Sequence, residues 1–308
     1  MSRKRLTAYS YILIATAIWG IAGPLIKFGM FHIPPMIFLA YRFGISTLIA
    51  GIFFRKTLHV PKSSKQQWNI VLYTTLSILL GIGLLFIGFE KTSSLTGSLI
   101  SATTPIFTAI AAYFFLKETI TKREKIGTSI ACAGAIITVI GPLIANPSTQ
   151  SFGALEGNAL ILIAVMADAA GWLVGKYAIR SAISAISLTN ISFLIGWVIF
   201  TLIAVYMYGP KEIWTILVSA TIFDHAIVWF MALASGTIAY GLRNKAIQSI
   251  EISEASLFLY LTPVFAAPLA ILWLQEGVSL WFAIGSGCIV IGVFLAEWKK
   301  KPPLTKRG

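Results

Sequence analysis

Arg42 and Asp168 each sit inside a long apolar run, the first in 35–54 and the second in 157–178. A charge in such a run costs about 2.5–3.5 kcal/mol on membrane-insertion scales, so it demands a partner or a purpose. If both runs are helices entering from the same side, the two groups lie at similar depth, roughly 10 and 15 Å in by rise arithmetic. Two readings stay open. Arg42 pairs with Asp168 across a bundle, or it satisfies backbone carbonyls and never meets that carboxylate. A pair that opens lets Asp168 take a proton on one side and release it on the other, whereas a permanent pair makes it structural or a solute contact. Trp172 follows Asp168 by four residues and shares its helix face. Hydroxyls gather elsewhere: Ser98, Ser101 and Thr108 recur at spacings of three and seven, on one face, and a later run offers Ser256 and Tyr260. Such faces bind solute or pack helices together. Pro105 and Pro263 each remove a backbone donor and free the carbonyls of Ser101 and Leu259. In hydrocarbon that is tolerated only against protein or a wet cavity. They mark either flexing helices that line a path or static kinks.

The elements that must hold these residues follow from composition. Of 308 residues 57% are hydrophobic and 11% charged, against about 25% charged in soluble domains. Mean hydropathy is +0.84, which excludes a water-soluble globular protein. A spanning helix needs roughly 20 apolar residues. Ten candidate runs occur, at about 9–28, 35–54, 68–89, 95–116, 124–144, 157–178, 186–208, 225–243, 254–274 and 280–297. Asp224-His225 interrupts the stretch 213–242, so Trp214–Phe223 reads as an interfacial or re-entrant approach and the eighth run starts after it. The fold class expected is therefore all-α, a polytopic bundle of ten transmembrane helices. The formal net charge of +13 would suggest nucleic acid in a soluble chain. Here the basic residues flank apolar runs, so the partner is a lipid bilayer and no nucleic acid is expected. With the N-terminus inside, twenty Lys and Arg fall on the cytoplasmic side, Arg243 and Lys176 among them, against Lys27, Lys91 and Lys211 opposite. That bias places both termini in the cytoplasm. The first run lacks a small-residue cleavage site and reads as a retained span.

Internal similarity divides the chain. Residues 95–107 (LTGSLISATTPIF) match 253–265 (SEASLFLYLTPVF) at an offset of 158. The same offset pairs Ser98 with Ser256, Pro105 with Pro263, Glu118 with Glu276, Gly127 with Gly285 and Gly134 with Gly292. Trp19 similarly echoes Trp172. Two repeats of five spans, 1–145 and 150–299 with a basic tail at 300–308, must enter the membrane in opposite senses. Inverted repeats are a construction of secondary transporters, whose solute sites lie between the halves. The two tryptophans would then flank an apolar or cationic solute, or serve as packing residues. Glycines every seven residues, Gly127, Gly134 and Gly141, predict a close seam within the bundle or across a homodimer. Glu118 and Glu276 close spans four and nine, where the amides of the next helix favour a carboxylate.

The residues Trp19-Gly20, Arg42, Pro105 with Lys117-Glu118, Pro263 with Gln275-Glu276, and SGTIAY at 235–240 together resemble the EamA-type drug/metabolite transporters over roughly 10–140 and 157–297. The resemblance implies a ten-helix inner-membrane carrier moving small organic solutes, in many members outward. Arg243-Asn244-Lys245 stands where many members carry apolar or aromatic residues. No His-Glu-x-x-His, Gly-x-Ser-x-Gly or Walker pattern occurs, and His32, His59 and His225 lack ligand spacing. Hence neither an enzyme, a metal nor a cofactor is expected. Cys132 and Cys288 lie in apolar runs and form no disulfide scaffold. The expected function is gradient-driven movement of small organic solutes, amino acids or drug-like compounds among them, by alternating access. The alternative is a channel-like or scaffolding membrane protein. The candidate solute site is Trp19, Ser98, Ser101, Asp168, Trp172, Ser256 and Tyr260, with Tyr240 and Asn244 ranked below them. Arg42, Pro105, Glu118, Pro263 and Glu276 are expected to be structural or coupling residues.

Overall fold

Apolar runs with few internal breakers become helices here, and sharp stops come from caps and glycine. The computed structural model describes residues 3–53, 61, 63–91, 100–101, 103–117, 121–145, 155–262, 264–265 and 280–297. Those residues are helical almost throughout: α1 (Arg3–Gly29), α2 (Pro35–Phe53), α3 (Ser64–Lys91), α4 (Thr104–Leu116), α5 (Lys122–Ala145), α6 (Leu155–Arg180), α7 (Ala185–Ser219), α8 (Ile222–Ala246), α9 (Ile252–Leu261) and α10 (Leu280–Glu297). Six of these, α1, α2, α3, α6, α7 and α8, are long and apolar enough to cross a membrane. The surface agrees with a lipid environment. Phe53, Phe114, Phe115, Leu202, Leu280 and Ile222 are 65–86% exposed, a density of bare apolar side chains that water would not sustain.

The α7–α8 region departs from the sequence reading. Gly209 takes φ 75°, ψ 155° inside α7, a left-handed backbone that only glycine adopts without strain, and Pro210 follows. The spanning part therefore stops at 208, and 210–219 forms a separate short helix with Trp214 and Val218 exposed. Asp224 does not interrupt α8. It closes the start: Thr221 Oγ1 accepts from the Asp224 amide at 3.2 Å, and Asp224 Oδ2 accepts from the Thr221 amide at 2.9 Å. This reciprocal cap satisfies two orphan donors and starts the helix at Ile222, three residues earlier than the charge pattern suggested.

Two helices contain wide π-helical turns, Thr74–Gly83 in α3 and Met231–Ile238 in α8. Such turns are rare and concentrate at functional sites. Around them a core of Phe38, Phe43, Ile78, Phe86, Phe193, Phe200 and Ile227 ties α2, α3, α7 and α8 together. Phe43 meets Phe193 at 5.0 Å and stacks on Phe200 at 5.5 Å.

The glycine seam joins α5 to α10 within one chain. A Cβ on Gly134 would lie 2.6 Å from the Gly285 carbonyl oxygen, and one on Gly292 would lie 2.6 Å from that of Gly127. Backbones this close leave no room for a methyl group. Gly134→Ala and Gly292→Ala are each expected to destabilise the protein by about 1–3 kcal/mol through overpacking. Gly241, with nothing within 4 Å of its Cβ position, should tolerate alanine without loss and gain up to about 1 kcal/mol in helix propensity. Thermal unfolding of the three variants in detergent checks this order.

Candidate functional site

The carboxylate of Asp168 is held by three donors from three helices. Ser77 Oγ of the α3 π-turn donates to Oδ1 at 3.0 Å. Trp172 Nε1, one turn along α6, donates to Oδ2 at 3.0 Å. Arg243 of α8 reaches Oδ1 through Nη1 at 3.4 Å. The Asp168 side chain keeps 25% of its surface, whereas Arg243 keeps 1%. Gly171 makes this approach possible, because a Cβ there would stand 2.1 Å from Ser77 Oγ.

Four aromatic rings surround the guanidinium. Its Cζ lies 4.4 Å from the Tyr240 ring centroid, 4.9 Å from Trp172, 5.8 Å from Tyr73 and 6.0 Å from Trp19. Ring faces are negative, so they stabilise a cation that has left water. Arg243 Nη2 also donates to the Tyr73 hydroxyl. Asn244 Nδ2 donates to the same hydroxyl at 3.3 Å and to Thr189 Oγ1 at 2.8 Å, which ties α7 to the group. Trp19 Nε1 donates to the Ser235 carbonyl at 3.1 Å, and its ring meets Tyr240 edge-on at 5.3 Å. What results is an aromatic-ringed cluster with one partly open carboxylate and one enclosed guanidinium.

Trp19, Asp168 and Trp172 thus come together, joined by Tyr240 and Asn244. The Arg42–Asp168 pair does not form, because Arg243 takes the carboxylate. Nor does Arg42 bond a backbone carbonyl among the described residues. It is 2% exposed, and its Cζ lies 5.3 and 5.9 Å from the rings of Phe43 and Phe86. Ser256 is fully buried and donates to the Ser253 carbonyl at 3.0 Å. Tyr260 packs with Ala131, Leu257 and Ile289, in the seam between α5, α9 and α10. The Ser101 hydroxyl is buried with no hydrogen-bond partner among the described residues. Its carbonyl, freed by Pro105, accepts from Thr104 Oγ1 at 2.6 Å. Ser98, Glu118, Pro263 and Glu276 lie outside the described residues.

Tyr73 and Ser77 were not singled out from sequence, and Arg243 was noted only as a topology marker and as part of a departure from the family pattern, not as a partner of Asp168. Arg243 sat among the basic residues that mark topology, close to the end of a run, and nothing local separates a flanking arginine from an inward one. Lys176 is a second case: it is 3% exposed and its Nζ donates to the Ile250 carbonyl at 3.0 Å. Ser77 did carry a signal, because it matches Ser235 at the same 158 offset as the prolines.

Among the described residues no group of His, Cys, Asp and Glu is placed to hold a metal ion. Described residues that are almost all helical, with apolar side chains bare on the outside and charged groups held among the helices, define a polytopic membrane protein. The model of the EamA-like transporter family matches twice, over 6–140 and 155–298, and the chain belongs to that family. It is 25% identical to the uncharacterized transporter YyaM of Bacillus subtilis, over 96% of this chain and 94% of that one. It is 27% identical to YetK of the same organism, over 98% and 90%. A probable amino-acid metabolite efflux pump of Salmonella typhimurium is 23% identical over 92% of both chains. One crystal structure superposes with a TM-score of 0.74 at 15% identity, covering 96% of each chain, which shows the fold is shared. The family and these relatives indicate a transporter and not an enzyme.

Breaking a buried pair by removing one partner strands the other charge. Arg243→Gln and Asp168→Asn should each lower stability by about 1–3 kcal/mol, less than for a wholly enclosed pair because Asp168 is partly solvated. The double variant should lose clearly less than the sum of the two, with a coupling of about 1 kcal/mol or more in a double-mutant cycle. Additive losses would mean the 3.4 Å contact contributes nothing.

Proposed function

We propose that the protein is a secondary carrier for small organic solutes, gradient-driven and working by alternating access. The observation that supports it most is the cluster of rings around the Asp168–Arg243 pair. Asp168 remains partly open inside it, among helices drawn from both halves of the chain. Indole and phenol faces suit an apolar or aromatic side group, and the carboxylate suits an amine. Such a solute is amino-acid-like, in keeping with the efflux pump among the relatives. Trp19, Asp168 and Trp172 form its contact set, Ser77 and Arg243 hold Asp168 in place, and Tyr73 positions Arg243.

All ten helices cross the inner membrane in this reading, five per repeat, with both termini cytoplasmic. The reciprocal glycine contacts support opposed repeats. Residues 134 and 285 meet, and the same contact shifted by the 158 offset is that of 292 with 127. The same contact made in both directions is what a twofold relation between the two elements would give. A reporter fused after Lys301 should be active only as a cytoplasmic fusion, and extracytoplasmic activity would overturn the topology.

The transport reading is tested in proteoliposomes. Preloaded with an unlabelled amino-acid mixture, they should accumulate labelled amino acids by saturable counterflow, and Trp172→Ala should reduce this by at least about tenfold. Flux that neither saturates nor shows counterflow would favour a channel. Asp168→Asn separates two roles: counterflow retained with proton-driven accumulation lost makes Asp168 the coupling group. Gradient dependence unchanged from the wild type ends that role.

A further inference from the structure

Three charges lie deep in the bundle around Tyr240: Arg42, Asp168 and Arg243. Asp168 pairs with Arg243, whereas Arg42 has no such partner among the described residues. At 2% exposure it makes no hydrogen bond and no ion pair among the described residues. Its neighbours are the rings of Phe43 and Phe86 and, electrostatically, Tyr240. Tyr240 also lies under the Arg243 guanidinium, 4.4 Å from its Cζ. Phe193 continues the link, meeting Tyr240 at 5.6 Å and Phe43 at 5.0 Å.

Around Tyr240 two guanidiniums share one carboxylate, while the other buried charges among the described residues, Lys176, Asp224 and Glu254, have partners of their own. Guanidinium offers five donors in a planar fork. Leaving that fork empty in a low-dielectric setting is costly, and ring faces recover only part of the loss. The arrangement is complete only when a compact oxyanion is added.

We propose that Arg42 is an anion-docking residue that receives the carboxylate of the transported solute. This rests on the carrier reading above and narrows its substrate class. The solute carries a carboxylate for Arg42 in addition to whatever meets Asp168 and the tryptophans. Arg42 is enclosed in this conformation, and the carboxylate reaches it when the helices around Tyr240 part during the transport cycle.

The test uses the intact purified protein in detergent, titrated with L-phenylalanine, L-leucine and benzoate, each beside its primary amide. The acids are expected to raise the unfolding midpoint and the amides to leave it unchanged. Arg42→Gln should weaken the response to acids by about tenfold or more, the range of one charge-assisted hydrogen bond, while Arg42→Lys keeps most of it. Arg42→Met should raise the midpoint of the empty protein, because an apolar side chain suits an unpaired buried position better than a charge does. A structural arginine would give the reverse. Equal responses to acids and amides, a lowered midpoint in Arg42→Met, or no response to any acid from a protein that still shows counterflow would each overturn the proposal alone. Absence of counterflow with every solute would overturn the carrier reading and this inference with it.

Discussion

Arg243 has given up nearly all contact with water, and its placement organises everything near it. A guanidinium moved into a low-dielectric interior loses several kcal/mol of hydration, which one carboxylate at 3.4 Å does not restore unaided. Tyr73 accepts one of its donors, and four ring faces supply diffuse negative potential. Each of those helpers comes from a different part of the chain: Trp19 from α1, Tyr73 from α3, Trp172 from α6, Tyr240 from α8 itself. A helix that lost its place would leave the charge exposed to an apolar wall. The mutual position of α1, α3, α6 and α8 is therefore fixed by the need to keep one cation company.

The scaffold and the site differ in their symmetry. The α5–α10 seam repeats the same contact in both directions, and both wide π-turns fall at matching places in the two halves. Ser77 and Ser235 correspond, and each serves a tryptophan-bearing helix: one donates to Asp168 beside Trp172, the other accepts from Trp19. The charges break the pattern. At the offset of Trp19 and Trp172, Asp168 corresponds to Ala15, and at the offset of 158 Arg243 corresponds to Leu85. One half thus received the ion pair and the other kept apolar residues.

Periodic and additive features were readable from sequence. Long apolar runs gave the helices, and heptad glycines gave a close seam. A tryptophan one turn from an aspartate gave their shared face, now visible as the 3.0 Å bond from indole to carboxylate. Partner choice was harder to read. Arg42 and Arg243 are the same side chain near the same kind of sequence, and depth arithmetic favoured the wrong one. A long side chain reaches several ångströms along its helix, so a residue three from the end of α8 contacts the middle of α6. Ser256 and Tyr260 illustrate the other difficulty: a hydroxyl-rich helix face suits a wet chamber and a dry seam equally, and only the neighbouring helix decides.

The wide turns in α3 and α8 also carry a geometric consequence. An α-helix advances about 100° per residue, and a stretch bonded at i→i+5 holds extra residues for the same number of turns. Everything beyond it is phased differently from everything before it. Ser64–Tyr73 and Leu84–Lys91 therefore belong to two helical wheels, as do Ile222–Phe230 and Ala239–Ala246. On a single wheel drawn through α8, the angle between Asp224 at one end and Arg243 at the other is wrong. The added residues act as a phase shifter, which lets one rod present an apolar flank to lipid along its first half and turn Arg243 inward near its end.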